Sequence, residues 1–217
     1  MASQINRLDN GNIELTLTLP WAKVQLGYEE VVTETVKETE IKGFRKGHAP
    51  RKLVEERLDR NQTFSHSLQH ILPKEYQAAV EEHSLKPVVY PNIGIKSGKE
   101  GEDWVFVATV CEAPTVKLGK LAKLEDLVKS SEVKLADLLV SHEADHRLSA
   151  LADNLTHLGL TVERYLGTKK MTLEELKAKL ASEARHDLQV EFILQQVQVE
   201  NKLKDRQATL DFLTGKV

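Results

Sequence analysis

The sequence predicts an α+β fold, in which an N-terminal antiparallel sheet with packed helices precedes an all-α C-terminal arm. Two observations favour this class. Strand patterns occur only before about residue 115, whereas the chain beyond about residue 134 shows helical periodicity alone. The predicted organisation is therefore a first domain over 1–115, a linker over 116–133 and a helical domain over 134–217.

The first half alternates between strand and helix patterns. Apolar side chains alternate with polar ones from Ile13 to Leu19, which predicts a strand with one buried face. Apolar residues then recur at helical spacing from Trp21 to Lys42, and Gly43 is expected to end this helix. The remaining expected elements are helices over 51–59 and 63–83 and strands over 88–95 and 104–111, with a turn at 98–101 between the strands.

The second half carries only helix signals. Leucines at helical spacing predict a helix over 135–158 that Gly159 ends. Thr172 is followed three residues later by Glu175, a capping-box pattern that predicts the start of a long helix reaching towards Leu203. Shorter helices are expected over 161–166 and within 205–217. The lysine-rich, poorly patterned segment 116–133 is interpreted as a linker with room for a short helix.

Composition limits the classes of partner. The net charge is only -3, so electrostatic docking to a polyanion requires a local basic patch. The single cysteine, Cys111, excludes a disulfide framework and is typical of a reducing compartment. The polar segment 1–12 does not resemble a signal peptide, and no apolar run is long enough to span a bilayer. We therefore expect a cytoplasmic protein without a membrane partner.

Such a basic patch lies between Lys42 and Arg60. This segment holds seven basic and three acidic residues, a net charge of +4 within a chain that is acidic overall. Phe44 precedes Arg45 and Lys46 in a loop bounded by two glycines. An aromatic side chain at the tip of a basic loop is suited to insertion into a partner, while the cations engage carboxylate or phosphate.

The string Gly43-Phe-Arg-Lys-Gly-His-Ala-Pro50 resembles the ribosome-docking signature of the trigger factor family, Gly-Phe-Arg-x-Gly-x-x-Pro between two helices. Neighbouring strings fit the same family over nearly all of residues 10–120: Arg51-Lys-Leu-Val, Leu72-Pro-Lys-Glu-Tyr76 and Leu85-Lys-Pro87. In the second half, Leu138 to Leu148, Gly159 to Leu166 and the helix from Thr172 resemble the start of the family's helical domain. Position 48, usually basic in the family, is a histidine here.

The resemblance implies a non-catalytic, ribosome-associated chaperone without a cofactor. Its docking residues would be Gly43, Phe44, Arg45, Lys46 and Gly47, which would meet a ribosomal protein and RNA of the large subunit beside the exit tunnel. The helical domain would hold nascent or unfolded polypeptides, and self-association is left open. About twenty residues separate the halves, too few for the prolyl-isomerase module usual there. The helical half has more apolar residues than one helix pair can bury, and the expected client contacts are Leu151, Leu155, Leu158, Ile193, Leu194 and Val197.

Two alternatives belong to other classes. A ribosome- or RNA-binding assembly module would share the loop without chaperone activity. A zinc hydrolase could use His142-Glu-Ala-Asp-His146, because His-Glu-x-x-His on a helix places both histidines on one face. No further histidine follows at the spacing that extends the zinc-protease pattern, so we expect neither a metal site nor catalysis there. His66 and His70 are likewise interpreted as a pair on a partly exposed helix.

Overall fold

The computed structural model describes residues 2–41, 44–120 and 124–215, and in it strands and helices alternate up to residue 133, after which the described residues form helices alone. The elements in chain order are β1 (Ala2–Arg7), β2 (Ile13–Leu19), α1 (Trp21–Glu38), α2 (Arg51–Glu55), α3 (Arg60–Glu82), β3 (Asn92–Ser97), β4 (Trp104–Val110), β5 (Val116–Lys117), α4 (Leu124–Ser130), β6 (Glu132–Val133), α5 (Asp137–His157), α6 (Val162–Lys169), α7 (Leu173–Glu200) and α8 (Arg206–Thr214).

The described residues divide into two compact units. The first comprises 2–6, 14–41, 44–86 and 91–109, and the second comprises 7–13, 87–90, 110–120 and 124–215. Two short segments earlier in the chain, 7–13 and 87–90, thus belong to the second unit together with the residues after 109. None of the helices in the described part of the chain is long and apolar enough to cross a membrane.

The first unit contains a four-stranded sheet in the order β1-β2-β4-β3, and β3 pairs with β4 antiparallel. Burial alternates strictly along β2 and β4, so the strand predictions for both are confirmed. At the sheet edge, β1 was not predicted because its residues are largely exposed and show no apolar alternation. These observations confirm the predicted fold class.

Helices α1 and α3 pack closely on each other. A Cβ added at Gly27 of α1 would lie 2.3 Å from Cδ1 of Ile71, so a glycine there lets the two helices approach. The Phe64 ring of α3 lies 4.6 Å from that of Tyr28 and 5.4 Å from that of Trp104, measured between centroids. Phe64 therefore joins α1, α3 and β4.

The second unit is built on α5 and α7. One apolar cluster joins Cys111 to Leu139 and Val140 of α5, with Phe192 of α7 packed against it. The predicted capping box is confirmed: Thr172 N donates to Glu175 Oε2 at 2.8 Å, and Glu175 N donates to Thr172 Oγ1 at 3.1 Å. Because both helix-terminal donors are satisfied, α7 begins sharply.

Residues 7–13 pack on the start of α5. Leu138 N donates to Asn12 Oδ1 at 3.0 Å, and Asp137 N donates to Asn10 O at 3.3 Å. Gly11 has a φ of +80°, and a Cβ there would lie 3.0 Å from Ala136 Cα. The α5 N-terminus is therefore capped by a distant part of the chain, since Ala136 offers no side-chain acceptor.

The expected linker differs from the structure. Within 116–133, β5 and β6 pair antiparallel, and Leu127 of α4 is fully buried against Ile193, Leu194 and Val197 of α7. The few apolar residues of this segment therefore form part of a hydrophobic core, whereas a linker would leave them exposed to solvent.

Replacing Leu15 with alanine should cost the first unit about 2–5 kcal/mol, because this side chain is fully buried and its removal leaves a cavity. The control is Leu26→Ala, which removes a leucine that is 64% exposed and should change stability by less than about 0.5 kcal/mol. Urea unfolding followed by tryptophan fluorescence measures this unit, since both tryptophans, Trp21 and Trp104, lie in it. Equal losses for the two variants would contradict the assigned core.

Candidate docking loop and helical surface

The basic loop is held at both ends and open at its tip. Phe44 N donates to Ile41 O at 2.9 Å, and His48 N donates to Arg45 O at 2.9 Å. Helix α1 ends at Glu38 instead of the expected Lys42, because Thr39 is extended and its hydroxyl donates to Thr35 O at 2.6 Å. The predicted Gly43 lies outside the described residues.

A small apolar cluster forms the base of this loop. Ile41 before it, Ala49 after it and Val54 of α2 are 4%, 6% and 2% exposed and pack together, with Val36 and Leu58 against them. The buried ends fix where the loop starts and finishes, so its tip is presented on a defined base instead of a free coil.

The tip exposes one aromatic side chain and two cations. Phe44 remains 42% exposed, and Arg45 and Lys46 are also exposed. Exposed phenylalanine is unusual in a packed domain, since burying the ring would be favourable by about 2 kcal/mol. The loop residues predicted from the sequence that the structure describes, 44–47, are therefore together and accessible.

The cations around the loop fall into two groups. Arg51 donates to Glu29 and Glu55, and these carboxylate contacts, with Glu55 the larger cause, raise the pKa of its guanidinium. Arg60 pairs with Glu100 at 2.6 Å. In contrast, four exposed cations make no ion pair with any residue that the structure describes, and they are Arg45, Lys46, Lys52 and Arg57. Their charge remains available to a partner.

Gly47 is required by the shape of the loop. Its φ is +76°, which side-chain-bearing residues rarely adopt, and an added Cβ would lie 3.0 Å from Lys37 O. Gly47 N also points back to Thr39 O at 3.4 Å. A larger residue at position 47 would therefore be strained, both by the backbone conformation and by the close approach of α1.

The six apolar residues expected to contact clients do not form one exposed surface. Leu158 is 74% exposed and Leu151 is half-buried, but the others are buried: Leu155 is 6% exposed, Ile193 0%, Leu194 3% and Val197 0%. The expectation of an open α7 surface is corrected here, because Leu127 of α4 and Leu213 of α8 cover those three α7 side chains. The more exposed apolar side chains of the helical segment 134–215 are Leu158, Leu173, Val199 and Phe212.

The sequence analysis did not predict a further exposed apolar site in the second unit, at Val88 and Tyr90. They are 45% and 85% exposed, while the intervening Val89 packs into the Cys111 cluster. The alternation signal was present, but we expected the strand to run over 88–95, and the structure starts it at Asn92. The signal available in the sequence was the pair of prolines, Pro87 and Pro91, because proline is unfavourable within a strand.

The His-Glu-x-x-His string lies on α5, but its glutamate is occupied. Arg147 Nε donates to Glu143 at 2.8 Å and its Nη1 to Asp187 at 2.9 Å, and these two carboxylates, Glu143 first, raise the pKa of Arg147. His142 and His146 are exposed. In the described part of the chain, no group of three or more His, Cys, Asp or Glu side chains is arranged to hold a metal ion.

Cys111 is buried, and burial raises the pKa of its thiol, with a smaller opposing effect from a backbone hydrogen bond at Leu139. A buried thiol with a raised pKa holds little of the reactive thiolate at neutral pH. The geometry is that of a core residue.

Family models identify the chain's relatives. The model described as bacterial trigger factor protein matches residues 1–145, and that described as the trigger factor C-terminus matches residues 118–211. The chain belongs to the bacterial trigger factor family. The two matches overlap, so no segment of this trigger factor family member lies between them.

Curated trigger factors from Staphylococcus epidermidis and Staphylococcus aureus are 34% identical to it over 139 residues, which cover 64% of this chain and 32% of each relative. The chain thus spans about a third of the length of these relatives. A solved structure reported under the name "Promiscuous Substrate Recognition in Folding and Assembly Activities of the Trigger Factor Chaperone" matches with a TM-score of 0.44 and 18% identity, covering 71% of this chain and 36% of that one.

In this trigger factor family member, Gly47→Ala should destabilise the first unit by about 1–3 kcal/mol, because it forces an alanine into a positive φ and against Lys37 O. The control is Gly94→Ala, since Gly94 has no positive φ and nothing within 4 Å of an added Cβ. Urea midpoints from tryptophan fluorescence compare the two. A neutral Gly47→Ala would mean that the loop conformation is not constrained as described.

Proposed function

We propose that this chain is a cytoplasmic, ribosome-associated chaperone that docks through residues 43–47 beside the polypeptide exit tunnel and shields unfolded or nascent polypeptides without catalysis. The observation that carries this proposal is an exposed Phe44 beside two cations without ion-pair partners among the described residues, presented on a buried base. Family membership supports it, since the loop string resembles the family's docking signature.

The chemistry of the tip suits a mixed protein and RNA surface. The Phe44 ring offers apolar area that a pocket on a ribosomal protein could bury, and aromatic anchors of this kind dominate many interfaces. Arg45 can bind carboxylate or phosphate in two-point contacts, while Lys46 acts as a point charge. Because the loop base is already ordered, docking would lose little conformational entropy.

Client contacts are proposed on the exposed apolar side chains of the second unit. Of the residues expected from the sequence, we retain the exposed Leu158 and the half-buried Leu151. We do not propose Leu155, Ile193, Leu194 or Val197 as contacts, because they are buried. Single leucine contacts are weak, but tethering at the ribosome raises the effective concentration of a nascent chain. Covering apolar segments in this way delays their aggregation.

The absence of prolyl-isomerase activity is part of the proposal. It is supported by the overlap of the two family matches over residues 118–145, which leaves no chain between them for an inserted module. A cytoplasmic location is supported by family membership and by the single, buried cysteine.

Replacing Phe44, Arg45 and Lys46 together with alanine should weaken binding to large ribosomal subunits by about tenfold or more, since aromatic and arginine anchors dominate such interfaces. The fold should be unchanged, because all three side chains are exposed. Co-sedimentation with purified subunits measures the binding, which should also weaken with added salt.

The matched control replaces Ile95, Lys96 and Lys99 with alanine, another exposed apolar residue with two cations in the first unit. This control should bind subunits normally. Unchanged binding by the Phe44 triple variant would remove the docking assignment.

Leu158→Ser should reduce protection of a denatured client without lowering stability, because Leu158 is 74% exposed. Leu155→Ser should instead destabilise the helical unit, since Leu155 is 6% exposed. Light scattering of an aggregating client and thermal unfolding followed by circular dichroism separate the two effects. A full chain that binds ribosomes yet never protects a client would favour the assembly-module alternative.

A further inference from the structure

The rings of His66 and His70 lie beside each other on α3. Both side chains are exposed, and their ring centroids are 5.1 Å apart with an angle of 72° between the ring planes. Residues four apart on a helix are neighbours on one face, and at this spacing two imidazoles can bind one metal ion. The spacing alone gave no reason to assign a ligand to this pair, whereas the contact between the two rings is a feature that only the structure shows.

The separation of the two rings fits a shared tetrahedral ion. A bond of about 2.1 Å from a metal to an imidazole nitrogen places the centre of the ring about 3.2 Å from the ion. Two rings at a tetrahedral angle on one ion are then about 5 Å apart, in agreement with the observed 5.1 Å. Among the residues that the structure describes, His142 and His146 of α5 have the same spacing, but their rings make no such contact.

Open space beside His66 can hold the water molecules that complete the coordination of such an ion. His66 lines a cavity of about 460 Å³ together with Gln62 and Gln69 of α3. The side-chain amides of both glutamines can form hydrogen bonds with metal-bound water. In the described part of the chain no third His, Cys, Asp or Glu joins the pair as a metal ligand, so the protein would supply two ligands.

The turn that carries the two histidines also supports the contact between α1 and α3. The inward-facing side chains of this turn, Ser67 and Ile71, lie against Gly27 of α1. Pro73 lies inside α3 and has no N–H, so it cannot donate to Gln69 O, and the helix lacks one of its regular hydrogen bonds here. A ligand that bridges the two histidines would therefore reinforce a weakened part of α3.

We propose that His66 and His70 form a two-imidazole site for a divalent transition-metal ion, Cu²⁺, Ni²⁺ or Zn²⁺, whose remaining positions are filled by water. Imidazole favours these ions, whereas Mg²⁺ and Ca²⁺ prefer oxygen ligands. Because the two histidines share a face only when the turn is helical, the ion binds the folded protein and stabilises α3. The site does not depend on the proposed docking to ribosomes.

Isothermal titration calorimetry of the untagged full chain with Ni²⁺ tests the site. We expect stoichiometric binding that Mg²⁺ does not reproduce. His66→Gln and His70→Gln should each weaken Ni²⁺ binding by about tenfold or more, because the second imidazole no longer adds to the first. Both side chains are exposed, so each variant should keep its fold. The matched control replaces His142 and His146 together with glutamine, and it should retain the affinity of the wild-type chain.

The stability of the first unit gives a second, independent measurement. Zn²⁺ should raise the urea midpoint of the wild-type chain, followed by the fluorescence of Trp21 and Trp104, and should leave that of His70→Gln unchanged. Wild-type Ni²⁺ affinity in His70→Gln, or an equal loss of affinity in the control, would overturn the proposal. An equal rise in midpoint with and without His70 would also overturn it, since the ion would then act elsewhere.

Discussion

The contacts of one ring, Phe64, determine how the first unit can present a loop at all. Its ring centroid lies 5.9 Å from that of Trp21, 4.6 Å from that of Tyr28 and 5.4 Å from that of Trp104. Trp21 and Tyr28 belong to α1 and Trp104 to β4, so the Phe64 ring connects α1 to the sheet. Aromatic pairs at these separations add to the burial of apolar area. Because α1 is held at this point and lies close to α3 at Gly27, the end of α1 gives the described residues 39–41 and 44–50 a fixed starting point.

The docking loop then needs few interactions of its own. Ile41, Ala49 and Val54 close its base, Gly47 makes the turn, and the tip is left to water. Arg51 links α2 to α1 through Glu29, whereas Arg45 and Lys46 at the tip make no ion pair with any residue in the described ranges. The local excess of positive charge thus divides into a part that stabilises the unit and a part that remains for recognition.

Local patterns predicted what local physics decides. The alternation over Ile13–Leu19, the Thr172 capping box and the exposed Phe44 follow from side-chain periodicity, helix-end donors and flanking glycines. Long-range packing could not be predicted: surplus apolar residues on α7 indicated an open surface, but nothing in the sequence showed that Leu127 and Leu213 would cover Ile193. Strand β1 gave no signal because an edge strand of polar residues buries no face.

The interleaving of the two units along the chain bears on the order in which the protein matures during its own synthesis. During synthesis, residues 7–13 are made more than a hundred residues before their partners at Asp137 and Leu138. The second unit cannot form completely until α5 has been made, so its segments 7–13 and 87–90 lack their packing partners until then. A fragment that ends near residue 114 would keep residues 7–13 and 87–90 but lose the residues they pack against. The two units therefore cannot be separated by one cut in the chain.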